Sequence, residues 1–494
     1  MPYLLALDQG THASRAILYD AQAKPVAQAS RPLTSRFPQP GFVEQDPEEI
    51  WRTQLEAARA AISASGVSPK VIAAIGIANQ RETTIVWDER TGAPRAPAIV
   101  WQCRRSAALC EDLRARGEEP ALHARTGLVL DPYFSATKLS WLLGSDRQLG
   151  SDAAAGHLRF GTVDSWLIHR LTGGRVHATD PSNASRTLLM DLGAGAFSQD
   201  LCDLFGVARS MLPEIRPSAG SFGACDPSLL GAPIPITGVL GDQQAALFGQ
   251  RCFRPGDVKQ TYGTGAFLLA QVGESAPPQE GGLLATVAWD IGDGLRYALE
   301  GSVFQAGGLL EWLRAELGLV GSPAEAEALA REVPDAGGVL LVPALTGLGA
   351  PHWDPLARGA LFGLSRGTTR AHLARAAFDA IAYRTDEVLQ AMAKELGGLG
   401  DLRIDGGVAR SDLLAQMQAD LSGLRVLRPR DVETTARGAA LVAGLGAGIF
   451  SGTDEIADLP VEEQEFLPSL DEAARGAQRI RWSKAIQAVR GMHH

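Results

Sequence analysis

The chain has 494 residues, 45% of them hydrophobic and 21% charged, with a formal net charge of −10. That length exceeds one ordinary core, so two or more domains are expected, and the composition is that of a globular protein. The acidic balance argues against nucleic acid as a partner.

The N-terminus reaches Asp8 without a basic region, unlike a signal peptide. Leu4, Leu5, Ala6 and Leu7 predict a short buried strand, residues 8–14 a polar turn, and residues 15–20 a second strand. The hairpin loop carries an acid, a Gly and hydroxyls, so its N–H groups can face a phosphate while Asp8 faces a hydrated cation. Alone it would be an ordinary polar tip. Asp46, Pro47, Glu48 and Glu49 read as an N-cap, an N1 proline and first-turn acids, and Trp51, Leu55, Ala58 and Ile62 line one face of that helix.

A polar turn, 79–84, follows the strand expected over 71–78. Arg81 donates and Glu82 accepts, so in a turn the two can converge on a small polyol. The plainer alternative is a surface ion pair of little consequence. Trp101 follows a strand, and Tyr133 sits in a turn that opens a helix; singly, each reads as a packing lid. The five cysteines, Cys103, Cys110, Cys202, Cys225 and Cys252, have no metal-ligand spacing and fit reduced, buried thiols in a cytoplasm.

Residues 234–240 form an apolar, β-branched run. Gly241, Asp242, Gln243 and Gln244 turn the chain, and 245–249 read as helix. Open α/β sheets carry reactive groups at such carboxyl ends of strands, and the helix N-terminus adds free N–H groups. An isolated Asp there is more often a cap. Farther on, residues 258–272 repeat the first hairpin, with Gly263 and Thr264 matching Gly10 and Thr11. A long helix over 370–396 buries Ala374, Phe378, Ile381, Val388 and Met392. A third loop, Ile404, Asp405, Gly406 and Gly407, precedes a helix with Leu414, Met417 and Leu421 on one face, and it echoes the Gly241–Asp242 turn. The chain therefore divides into two related α/β halves, joined near 248–254. The longest apolar run, 439–450, is too short and Gly-rich to span a bilayer.

With these motifs in order, the chain resembles the glycerol kinases, a branch of the carbohydrate-kinase family with the actin-like ATPase fold. The matching runs are 7–11, 76–87, 100–105, 126–138, 161–167, 183–187, 241–250, 261–265 and 347–367. The resemblance implies an α/β protein of two related actin-like (ribonuclease H-like) ATPase domains, 1–250 and 251–494, facing each other across a cleft. It implies a cytoplasmic enzyme that uses ATP and Mg2+ to make sn-glycerol 3-phosphate from glycerol. Arg81, Glu82, Tyr133, Asp242 and Gln243 would bind the hydroxyls, with Trp101 and Phe267 as an apolar wall. Asp242 would be the base, and Asp8 would face Mg2+. Thr11 and Thr264 would lie near the phosphates with Arg15 beside them, and Gly307 and Gly407 would flank adenosine. Three departures fall on the nucleotide side: His12 and Ala13 replace small hydroxyl residues, Glu311 stands where Gln is common, and Ser411 where Asn is. Two alternatives share the fold: a pentulose or tetritol kinase, and a non-catalytic nucleotide switch. A homo-oligomer is left open.

Overall fold

The structure is a computed structural model describing residues 2–277 and 281–492. Its first sheet consists of β1 (Tyr3–Gln9), β2 (Ala13–Tyr19), β3 (Pro25–Pro32), β4 (Ile72–Asn79) and β5 (Ile236–Gly241), in the order β5-β4-β1-β2-β3. The second sheet has β6 (Val258–Tyr262), β7 (Ala266–Gly273), β8 (Leu284–Asp290), β9 (Leu295–Val303), β10 (Leu402–Asp405), β11 (Val426–Pro429) and β12 (Glu463–Phe466). Its order is β8-β9-β7-β6-β10-β11-β12.

Five strands of each sheet share one plan. β1, β2 and β3 form an antiparallel run, with β4 and β5 parallel on the other side of β1. In the second sheet β6, β7 and β9 form the antiparallel run, and β10 and β11 are the parallel pair. The two expected hairpins are thus equivalent. The third loop, however, is one strand out of place. Asp405 ends β10, the neighbour of β6, so its counterpart is the turn after Asn79 on β4. The counterpart of the Asp242 turn is the segment after β11. Loop composition could not distinguish two adjacent parallel strands that both end in a polar turn.

The main helices are α1 (Pro47–Ser65), α2 (Ser135–Ser145), α3 (Asp242–Gly249), α4 (Gly307–Ala315), α5 (Arg370–Leu396), α6 (Asp412–Ser422) and α7 (Thr434–Gly446). Asp46 caps α1 by accepting from the Glu48 N–H, as its sequence signature predicts. Leu5, Leu7, Ile75, Ile77 and Val239 bury the first sheet under Trp51 and Trp166. A separate core, including Val86, Leu130, Phe134 and Leu189, closes against Leu284, Val287 and Tyr297 of the second sheet. All five cysteines are free and buried. Among the described residues, no helix is long and apolar enough to cross a membrane.

Although α7 comes late in the chain, it packs on β5, β4 and β1 of the first sheet and against α3. The approach is very close. A Cβ on Gly438 would stand 1.8 Å from the Ala245 carbonyl oxygen, and one on Gly249 would stand 2.0 Å from that of Thr434. These two glycines therefore set the spacing of the crossing that joins the halves behind the site. Gly438→Ala should cost about 1–3 kcal/mol through overpacking. A urea-unfolding midpoint equal to the parent's would show that the helices separate freely.

Candidate active site

β1 and β2 leave only Gly10, Thr11 and His12 as the first hairpin tip. The turn closes through Gly10 N–H to Ala13 O at 3.0 Å. His12 is exposed, whereas Ala13 already belongs to β2, so of the two departures His12 is the one at the tip itself. Trp101 Nε1 donates to Thr11 Oγ1 at 3.0 Å, tying the tip to the aromatic side of the cleft. Asp8 is buried at the end of β1, with Arg15 Nε 4.0 Å away; Arg15 in turn pairs with Glu433. Burial pushes the Asp8 carboxyl up to about 6; Arg15 opposes the shift, while Asp242 and Glu433 add to it.

Asp242 opens α3, with Gly241 in the N-cap position. Its Oδ1 accepts from the N–H of its own neighbour, Gln243, at 2.7 Å, and its side chain is 28% exposed. It is therefore within reach of a ligand rather than consumed as a cap. Burial raises its carboxyl, opposed by Arg81 and Lys259.

Arg81 is the hub of the site. The alternative of a surface ion pair fails, because Arg81 and Glu82 are both buried. Arg81 Nη1 and Nη2 donate to Glu300 Oε2 and Oε1 at 2.6 and 3.1 Å. Nη1 also donates to Gln244 Oε1 at 3.2 Å, and Nη2 reaches Tyr133 Oη at 3.5 Å. Its Nε faces Asp242 at 3.5 Å and Glu82 at 3.8 Å. Glu82 instead takes Arg186 Nε on Oε1 at 2.7 Å, and Arg186 continues to Glu300 at 2.9 Å. Burial would raise the Glu300 carboxyl, but Arg186 and Arg81 outweigh it and hold it at about 2.

The backbone of Glu82 has φ = 59°, the left-handed region that a side chain with a Cβ seldom adopts. Its carbonyl is held there by Ser135 Oγ at 3.1 Å, Thr84 Oγ1 at 3.2 Å and Lys138 Nζ at 3.4 Å. Trp101 lies edge-on to Tyr133 and to Phe267, with centroids 5.6 and 6.4 Å apart, so these three form one aromatic wall.

At the second hairpin, the loops of the second half converge at one turn. Gly307 N–H donates to Gly263 O at 3.0 Å, and Gly308 N–H to Thr264 O at 2.9 Å. A Cβ on Gly307 would lie 2.7 Å from Gly263 O and 3.0 Å from Val408 Cγ2, so the Thr264, Gly307 and Gly407 loops touch. Thr264 and Gly407 are exposed there. The departing residues have local partners. Glu311, exposed on α4, forks with Arg314, and Ser411 Oγ caps α6 by accepting from the Leu414 N–H at 3.1 Å.

Residues 3–249 match the N-terminal domain, and residues 258–447 the C-terminal domain, of the FGGY family of carbohydrate kinases. The chain belongs to this family. A glycerol kinase of Thermus brockianus is 57% identical over 495 residues, covering 99% of each chain. One from Symbiobacterium thermophilum is 51% identical over 490 residues, 99% of this chain and 98% of that one. The crystal structure of Plasmodium falciparum glycerol kinase with ADP superposes with a TM-score of 0.94 at 33% identity, covering 99% of this chain and 98% of that one. A ligand-bound xylulose kinase from Lactobacillus acidophilus reaches 0.89 at 21% identity over 100% of this chain and 98% of that one, a likeness of fold alone. The fold is thus the two-domain, actin-like ATPase type of the FGGY kinases. Sequence reasoning missed four charged residues around this kinase's pocket: Arg186, Lys138, Lys259 and Glu300. The available signal was a lone charge inside an otherwise buried segment, as with Glu300 in β9.

Proposed function

We propose that the chain transfers the terminal phosphoryl group of ATP to glycerol, forming sn-glycerol 3-phosphate, with Asp242 as the base. The observation that carries this is one cluster of side chains: a partly exposed carboxylate 3.5 Å from Arg81, with the Trp101–Tyr133–Phe267 wall reached through Tyr133. Identity of 57% to a glycerol kinase over nearly the whole chain supports the substrate.

Arg81, Glu82, Tyr133 and Gln243 orient the three hydroxyls, and Trp101 and Phe267 cover the carbon side. Asp242 accepts the proton of the attacking hydroxyl late, since phosphoryl transfer depends more on positioning and charge than on covalent help. Thr11, His12, Ala13 and Arg15 with Thr264 surround the phosphates; Gly307, Glu311, Gly407 and Ser411 surround the adenosine. Residues 1–250 and 251–494 form the two domains in this reading, and their closure keeps water from the phosphoryl group.

A bound Mg2+ would neutralise the phosphate charge. Asp8 fits it: a buried carboxyl raised to about 6, with the Arg15 guanidinium 4.0 Å off and the charges of Asp242 and Glu433 acting against it, is relieved by a hydrated cation. Among the described residues no cluster of three or more His, Cys, Asp or Glu side chains could hold a metal. Mg2+ keeps its waters and takes one or two carboxylates plus substrate phosphates, so a carboxylate such as Asp8 suffices for it. The free, buried cysteines support a reducing, cytoplasmic setting.

A coupled ADP-release assay tests the reading. Glycerol should be turned over in preference to xylulose, ribulose and erythritol, because a site built for particular hydroxyls rejects poorly matched ones by about 10²-fold or more. A higher kcat/KM on a pentulose would overturn the glycerol assignment, and ADP release independent of any polyol would favour a nucleotide switch.

A further inference from the structure

Two charged side chains of the second sheet reach the acceptor pocket without a role in the chemistry above. They are Lys259 on β6 and Glu300 on β9, and the ladder puts them in one row. Lys259 pairs in register with Leu269 of β7, and Leu269 pairs with Glu300. Registered residues of neighbouring strands project from the same face. A cation and an anion therefore leave one face of the second sheet, separated by a single strand, and both meet side chains of the first half.

Both side chains are fully buried. Lys259 Nζ donates to Gln243 Oε1 at 2.5 Å, Thr261 Oγ1 at 3.0 Å and the Phe267 carbonyl at 3.5 Å. None of these is a carboxylate, so the ammonium is buried among neutral acceptors, a costly arrangement for a fold to keep. Burial pushes it down to about 8, a shift opposed by Asp405, Asp242 and Glu300 and reinforced by Arg81.

An ammonium only donates, so it binds the oxygen end of the Gln243 carboxamide and turns the NH2 end away from itself. Gln243 is thereby set as a donor. Glu300 acts likewise on Arg81. By taking Nη1 and Nη2 it leaves the Nε edge directed at Asp242 and Glu82. A bidentate fork fixes direction as well as distance.

We propose that Lys259 and Glu300 are positioning residues for the polyol: from the second half of the chain they fix the carboxamide of Gln243 and the guanidinium of Arg81. The proposal rests on the glycerol reading of the site.

Its test is a split between two Michaelis constants. Lys259→Met keeps length and packing but loses the donor; Glu300→Gln keeps shape but loses the charge. Each should raise the KM for glycerol by about 10- to 100-fold, the loss of one charge-assisted contact, and leave the KM for ATP within about 2-fold. Adding Gln243→Ala to Lys259→Met should then change the glycerol KM little, because both remove the same contact. Lys259→Gln, which retains an N–H donor, should fall between the parent and Lys259→Met. If Lys259→Met does not fold, Lys259→Gln must still raise the glycerol KM selectively. Equal rises in both KM values, additive effects of Lys259→Met and Gln243→Ala, or a glycerol KM unchanged in these variants would overturn the proposal. A parent inactive on glycerol would overturn the substrate reading and this proposal with it; an active parent with unaffected variants overturns this proposal alone.

Discussion

Asp242→Asn should lower glycerol turnover by about 10²–10⁴-fold, the usual contribution of a positioned base. The side chain is suited to that role in three ways. It projects from the carboxyl end of β5, its carboxylate is partly exposed, and its one backbone hydrogen bond comes from the adjacent Gln243 N–H. The amide keeps the shape and the neighbouring Arg81 but cannot take the proton. Glycerol binding, followed by calorimetry or by protection from heat, should therefore survive while kcat falls. A variant with near-parental kcat would remove Asp242 from the chemistry, and one that fails to bind glycerol would make it a binding residue first.

Arg81→Ala should have two separable effects. Glycerol KM rises strongly, because the guanidinium edge facing Asp242 and Glu82 is lost. Stability also falls, by about 3–5 kcal/mol, because Glu300 is left buried without its fork, with the Arg186 ion pair and the more distant Lys259 charge against it. The second effect depends on pH, and its sign follows from Glu300. Its folded carboxyl is held at about 2, below its ordinary value of 4.5. A depressed acid contributes stability that is fully present above its unfolded pKa and is lost as pH falls through the folded one. The gap between parent and variant should thus be widest near neutral pH and shrink between about 4.5 and about 2. Urea unfolding at pH 7 and pH 3.5 measures it. A gap that is constant with pH would mean that Arg81 stabilises through packing alone.

Much of the protein was legible locally. The two hairpins with Gly-Thr tips, the strand–turn–helix that carries Asp242, the Asp46 cap and the helix Arg370–Leu396 all lie within short windows of sequence. There, side-chain period, turn residues and capping chemistry act between near neighbours. The resemblance to the glycerol kinases rests on the same compact motifs, and the roles it implies for Arg81, Glu82, Tyr133, Asp242 and Gln243 are what the variants above test.

Partnership was not legible. Arg81 and Glu82 are adjacent in sequence, yet the fork of Arg81 goes to Glu300, 219 positions away, and Glu82 goes to Arg186, 104 positions away. The matching of the Asp405 loop to the Asn79 turn, rather than to Asp242, depended on strand order within the sheet. The roles of Lys259 and Glu300 depended on a register running across three strands. A buried charge is stable only where other charges and donors are brought to it, and those arrive from other strands and from the other half of the chain. Sequence neighbours therefore chose the elements and supplied the reactive groups, while the packing of one half on the other decided which group faces which.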